Sequence, residues 1–136
     1  MLALPQRVHD EFVDRARDGH PLEICGILGG EYESNGRSEV RSQYAAENVA
    51  EHPRTRYRID PEEQLEIFDR LEDRGEEIVG FYHSHPQGPP HPSETDAADA
   101  TWPDRSYVIV SLDPFEIGSW RWGEDGGFER EDVVLE

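Results

Sequence analysis

The sequence has no lysine: all 13 basic residues are arginines, set against 31 acidic residues for a net charge of -18. So negative a balance argues against nucleic acid as a partner, because phosphate binding needs a basic footprint. It does not imply disorder, because apolar periodic segments alternate with turn signals along the chain. The surface reads as one adapted to a salt-rich cytoplasm. At 1 M salt, charges are screened over about 3 Å, so self-repulsion fades. Lysine, with its long apolar stem per charge, is the residue such a surface leaves out. An ordinary acidic surface tuned for solubility remains the plainer explanation. Either way, the charge bears on where the protein works and not on what it does.

Cysteine is nearly absent. Cys25 alone rules out an internal disulfide and any Cys-rich zinc site, so a bound metal must be held by His and carboxylate. Cys25 itself reads as a small buried hydrophobe. No stretch approaches the ~20 apolar residues of a membrane helix, so no membrane association is expected. Met1 to His9 lacks a basic segment followed by an apolar run, so no secretory signal is expected and the protein is assigned to the cytoplasm. A chain of 136 residues is expected to form one domain over 1–136. Near that length a chain buries roughly two-thirds of its unfolded surface.

Gln6 to Asp18 carries Val8, Phe12, Val13 and Ala16 at helical spacing, with Gly19 as a C-cap stop. Leu22 to Gly30 is a short apolar run ending in paired glycines, which reads as a buried strand. Ser34-Asn35-Gly36 makes a turn into a strand over Glu39 to Asn48, and Tyr57 to Ile59 forms a short edge piece. Asp60 and Pro61 open a second helix as N-cap and first helical residue, with Leu65, Phe68 and Leu71 on one face and Gly75 at its end. Glu77 to Ser84 is a central-strand candidate. Pro86 to Pro92 holds too many prolines for regular structure. Ser93 to Thr101 reads as a third helix with Ser93 as N-cap and Asp96 at N3. Strands follow over Ser106 to Leu112, Ile117 to Trp122 and Phe128 to Leu135. The order points to an α/β fold, a mixed β-sheet flanked by helices.

His83 and His85 lie two apart on the expected central strand, so their side chains leave it on one face. The Pro-rich loop turns the chain back, and Asp96 enters from the first turn of the next helix. Two imidazoles and one carboxylate make a three-ligand zinc site with a fourth position open for water, the pattern that separates catalytic zinc from structural zinc. Zinc lowers the pKa of its water to about 7 and polarises a carbonyl. Glu23, a lone acid in an apolar strand, is the candidate proton carrier, because a charge there is costly without a partner. The Ser93 hydroxyl is placed to help hold an oxyanion. Taken singly, each has a plainer explanation: a satisfied polar His pair, a helix-cap carboxylate, an N-cap serine and an edge-strand charge. Trp102, Trp120 and Trp122 read as packing. His52 and His91 lie in loops and are not expected to be ligands.

Together, Glu23, His83-Ser84-His85 and, seven residues on, Ser93-Glu94-Thr95-Asp96 resemble the JAMM (MPN-plus) metalloprotease motif, a glutamate followed by H-[S/T]-H-x7-S-x2-D. The flanks are also similar, from Pro21 to Gly30, from Gly80 to Pro86 and from Tyr107 to Leu112. The resemblance implies a JAMM/MPN fold related to cytidine deaminases. It implies one catalytic Zn2+ on His83, His85 and Asp96, with Glu23 as general acid/base and Ser93 as oxyanion helper. It implies cleavage after the C-terminal Gly-Gly of ubiquitin-like small modifier proteins or their conjugates. The acidic, lysine-free chain looks like a haloarchaeal, desampylase-like member.

Four rival readings stay open at this point. Within the family, the chain is a hydrolase of an adduct on a ubiquitin-like sulfur-carrier protein, or a non-catalytic scaffold. A nucleobase deaminase needs more cysteines than the chain has. A thiol hydrolase would use Cys25. Oligomeric state is not legible.

Overall fold

A computed structural model of the chain describes residues 1–34, 36–94, 96, 100, 102–123 and 127–136. The elements are β1 (Leu2–Leu4), α1 (Gln6–Gly19), β2 (Cys25–Glu31), β3 (Ser38–Ala46), α2 (Pro61–Asp73), β4 (Glu77–His85), β5 (Ser106–Leu112), β6 (Phe115–Gly123), β7 (Gly127–Glu131) and β8 (Val133–Leu135). The strands form one mixed sheet in the order β7-β6-β5-β4-β2-β3-β1-β8. β4 lies parallel to β5 and antiparallel to β2. The α/β expectation of a mixed sheet flanked by helices therefore holds.

The helices cover opposite faces. α1 buries Val8, Phe12, Val13 and Ala16 against Leu2, Leu4, Leu28, Val79, Tyr82, Val108 and Val110. Each such large side chain, taken fully from water, contributes about 1.5–3 kcal/mol. α2 buries Ile67 and Leu71 on the other face, with Cys25, Ile27, Phe81 and Tyr107. Leu65, expected on that face, is 63% exposed. Residues two apart on a helix lie about 200° round it, so a face built on Ile67 turns Leu65 outward. α2 starts at Asp60 and Pro61 as expected, although the Asp60 side chain makes no capping bond. It ends in a Schellman motif: Glu76 N–H donates to Leu71 O at 2.9 Å and Gly75 N–H to Glu72 O at 3.0 Å, with Gly75 at φ +68°.

Several boundaries differ from expectation. α1 runs through Gly19 and is capped at His20. Gly19 is needed for another reason, since a Cβ there would lie 2.4 Å from Ile24 Cγ2. β1 is too short to carry a pattern. Asn48 and Tyr57–Ile59 contribute one isolated bridge, Asn48 to Ile59. The single strand expected over Phe128 to Leu135 is two, broken at Asp132, and they lie at the two ends of the sheet order. Consecutive strands at opposite edges require the sheet to curl until its edges meet. Leu2 N–H donating to Asp132 O at 2.9 Å and the Met1 ammonium 3.1 Å from Glu131 Oε1 mark the seam. Much of the third helix, and Asn35 of the expected turn, lie outside the described residues.

Candidate metal centre

Phe81 enters the α2-side core, and His83 and His85 follow at two-residue steps on the same face. This parity is set by a register shift between β2 and β4, where Leu28 pairs with Gly80 but Gly29 pairs with Ile78. The extra residue lets Val79 and Tyr82, three apart, both face α1. Gly80 stands at this irregularity because a Cβ there would fall 1.9 Å from Ser106 O on β5.

Glu23 precedes β2. Ile24 N–H donates to Ser84 Oγ at 2.9 Å and Ser84 N–H to Ile24 O at 3.0 Å. These bonds extend the ladder beyond the Cys25–His83 pair, which leaves Glu23 across from His85. The Glu23 backbone is pinned as well, its N–H donating to Pro53 O at 2.7 Å and its carbonyl accepting from Asn48 Nδ2 at 2.9 Å.

Asp96 is delivered by a capping box. Its N–H donates to Ser93 Oγ at 3.0 Å, and Ser93 N–H donates to Asp96 Oδ2 at 2.8 Å. The Ser93 oxygen therefore accepts the cap bond, which leaves its proton free to donate, and Ser93 lines a pocket with Glu23 and His85. The loop in between is clamped onto β5 and β6. Trp120 Nε1–H donates to Pro90 O at 2.9 Å, Gly88 N–H to Asp113 O at 3.2 Å, and the Ser111 hydroxyl meets the carbonyls of Gly88 and Pro114. Pro89 O in turn lies 3.1 Å from His85 Nδ1. That carbonyl can only accept, so Nδ1 carries a proton, and in the neutral ring Nε2 is then the nitrogen with the lone pair a metal needs.

Three donor atoms form a near-equilateral triangle. His83 Nε2 lies 3.2 Å from His85 Nε2, His85 Nε2 is 3.1 Å from Asp96 Oδ2, and His83 Nε2 is 3.2 Å from Asp96 Oδ2. Donors held about 2.0–2.1 Å from a tetrahedral zinc are spaced at roughly 3.3 Å, so the triangle fits such an ion. Glu23 brings a carboxylate oxygen to the group, with all four ligand atoms within 4.8 Å of one another. Glu23 is 4% exposed, and its Oε1 has no hydrogen-bond partner.

Burial pushes the Glu23 carboxyl up to about 8; attraction to His85 only partly offsets this, and Asp96 adds repulsion. A cation on the triangle would favour the anion and draw that value back down. Burial alone would raise Asp96, but the hydrogen bonds with His83 and His85 hold it well below the usual carboxylate range. Burial keeps His83 below the ordinary imidazole value. In His85 burial is outweighed by Asp96 and the Pro89 carbonyl, and its value rises.

The sequence-predicted residues Glu23, His83, His85, Ser93 and Asp96 are thus brought together. His52 and His91 are not among them; His91 packs on Trp120 at 5.3 Å between ring centroids. Trp102 packs edge-on to Phe68, as expected for core, whereas Trp120 clamps the loop. Cys25 is fully buried, and burial pushes its thiol up to about 12, which leaves no thiolate for a nucleophilic role. Three contributors had no sequence signal. Tyr57 stacks on His83 with centroids 4.3 Å apart. The Pro89 carbonyl orients His85. Asn48 donates to Glu23 O and Arg56 O at 2.9 and 3.0 Å and accepts from the N–H groups of Ala50 and Arg58, each at 3.1 Å.

Residues 5–123 match the family model described as prokaryotic homologs of the JAB domain. A desampylase of Haloferax volcanii is 41% identical over 116 residues, covering 82% of this chain and 81% of that protein. A CysO-cysteine peptidase of Mycobacterium tuberculosis is 41% identical over 124 residues, covering 89% of this chain and 82% of that protein. The fold is similar to the solution structure of a protein from Desulfitobacterium hafniense, with a TM-score of 0.88 at 32% identity and coverage of 100% and 93% of the two chains. With these matches added to the motif and its geometry, the chain belongs to the JAMM/MPN family, among the prokaryotic homologs of the JAB domain.

Proposed function

We propose that this chain is a zinc-dependent isopeptidase that cleaves after the C-terminal Gly-Gly of a ubiquitin-like small modifier protein, as a desampylase does. The observation that carries the proposal is the triangle of His83, His85 and Asp96 with an unpartnered, buried Glu23 oxygen beside it. His83, His85 and Asp96 would hold the ion, and the whole chain would act as one domain. Bound zinc supplies a Lewis acid that polarises the scissile carbonyl and makes water a nucleophile at neutral pH.

The protein's own groups do the rest. Glu23 Oε1 takes the proton that the attacking water loses and returns it to the leaving amine nitrogen, a role suited to a carboxyl poised near neutrality. The Ser93 hydroxyl donates to the carbonyl oxygen as it becomes negative. Pro89 O keeps His85 in the tautomer that leaves Nε2 free. Tyr57 lies flat on the His83 ring and limits its rotation. Glycines next to the scissile bond suit a narrow approach to these groups. A salt-rich cytoplasm is the proposed setting, supported by the net charge of -18 and the absence of lysine; no helix among the described residues is long and apolar enough to cross a membrane.

The similarity to a CysO-cysteine peptidase supports a second reading, release of a small adduct from a ubiquitin-like carrier. Assays on a modifier–lysine isopeptide and a carrier–cysteine adduct separate the two. Cleavage of the isopeptide is expected to stop with chelator, return with zinc and ignore thiol alkylation. Turnover that persists in chelator counts against the zinc reading.

A further inference from the structure

The loop between β3 and α2 is the densest basic segment in this acidic chain, with His52, Arg54, Arg56 and Arg58 within seven residues. Most other guanidiniums are neutralised or occupied: Arg37 and Arg41 pair with Glu136 and Glu31, Arg121 with Glu131, Arg130 with Glu116. Arg15, Arg74 and Arg105 donate to protein oxygens. Among the described residues, Arg17, Arg54, Arg58 and Arg70 are exposed without such a contact, Arg17 lying only over the Phe115 ring, and two of these four stand on this loop. With 31 carboxylates available, leaving two cations of one short loop bare is not what surface self-neutralisation produces.

The loop is also rigid and well placed. Thr55 N–H and Arg56 N–H donate to His52 O at 3.1 and 3.0 Å, and Asn48 ties both flanks together. It separates two hollows. Arg54 lines the reaction pocket of about 510 Å3 with Glu23, His85 and Ser93. Arg58 lines a neighbouring cavity of about 720 Å3 with Tyr57, Phe81 and Trp102. Glu51 also lines that second cavity, but among the described residues no carboxylate pairs with Arg58.

We infer that Arg54 and Arg58 form a docking strip for carboxylates of the partner protein beside its flexible tail, so that an acidic partner is selected by contact. The inference rests on the proposed isopeptidase reading and names the partner chemistry it leaves open. In an acidic chain acting on an acidic partner, long-range forces repel, and only charges meeting at contact distance keep their attraction in high salt.

The test uses three synthetic probes, each a Gly-Gly tail isopeptide-linked to a lysine peptide. Their upstream segments are Asp/Glu-rich, Ser/Gly-rich or Arg-rich. The readout is the ratio of kcat/KM between acidic and basic probes, in which any common loss of folding or catalysis cancels. Wild type is expected to favour the acidic probe by about tenfold, and Arg54→Glu/Arg58→Glu to abolish or invert that ratio. A wild type that cuts all probes alike, or a double variant that keeps the wild-type ratio, overturns the docking strip alone. A wild type that cuts none sinks the isopeptidase reading. In that case the labelled probes titrated into Glu23→Gln decide docking from the ratio of dissociation constants, with equal binding of acidic and basic probes counting against it.

Discussion

Glu23 and Glu131 are both almost out of solvent, at 4% for the residue and 5% for the side chain, and their surroundings differ. Glu131 lies on β7 at the seam of the sheet. Its Oε2 accepts from Ser106 and Ser119 at 2.7 and 2.9 Å, and its Oε1 meets Arg121 Nε and the Met1 ammonium, each at 3.1 Å. Burial would raise its carboxyl, but these donors outweigh it and hold the group below its ordinary value. Glu23 has one oxygen with no donor at all and is pushed up to about 8. The same side chain at a similar depth is held as an anion when the fold supplies its donors and pushed toward the neutral form when the fold withholds them, which is what the proposed proton-carrying role of Glu23 uses.

Glutamine at each position separates the two roles. The largest effect is expected at Glu23, where Glu23→Gln lowers kcat/KM on a Gly-Gly conjugate by about 10³-fold. Its melting temperature is expected to hold or rise slightly, because a neutral amide replaces a carboxyl that burial disfavours. Full turnover would remove Glu23 from the proton-transfer role.

Glu131→Gln should show the opposite pattern, with turnover of the folded enzyme unchanged and stability lower by about 2–4 kcal/mol, because Arg121 loses a charged partner. Urea midpoints measure this. The pH dependence has a defined sign. The folded carboxyl lies below its unfolded value of about 4.3, so its stabilisation is complete above that pH and is lost as pH falls through the folded value. The gap between wild type and Glu131→Gln should hold across neutral pH and close below about pH 4; a gap that widens on acidification contradicts a Glu131 held as an anion by its donors.

Asn48→Ala probes the link between scaffold and site. Losing its bonds to the loop and to Glu23 O is expected to cost about 1–3 kcal/mol in stability. Displacing Glu23 is expected to lower kcat/KM by about tenfold to a hundredfold. Metal content should stay unchanged. The smallest effect is expected at Leu65, 63% exposed on α2, where Leu65→Gln should shift stability by no more than about 0.5 kcal/mol.

The clustering of the candidate site residues could be read from the chain because its signals are local. His83 and His85 share a face by the two-residue period, Ser93 and Asp96 are one helical turn apart, and Glu23 stands out as a charge among apolar neighbours. The edges of the fold were harder to read. Nothing in the alternation of Phe128 to Leu135 marks Asp132 as the place where the chain leaves one edge of the sheet for the other. Leu65 and Ile67 compete for one helix face, and only the packing of Ile67 beneath α2 decides between them. Tyr57 on His83 and Asn48 on Glu23 act between segments far apart in sequence, where no short-range pattern encodes the contact. The loop arginines were visible only as a count of charges until the pairing of the others set them apart.

Metal content after purification in high salt tests the centre most directly, with wild type, Glu23→Gln and Asp96→Ala measured side by side. Wild type and Glu23→Gln are expected to carry one zinc per chain, and a folded Asp96→Ala none. Zinc lost from Glu23→Gln, or kept in full by Asp96→Ala, would contradict a site held by His83, His85 and Asp96 with Glu23 left free for the proton.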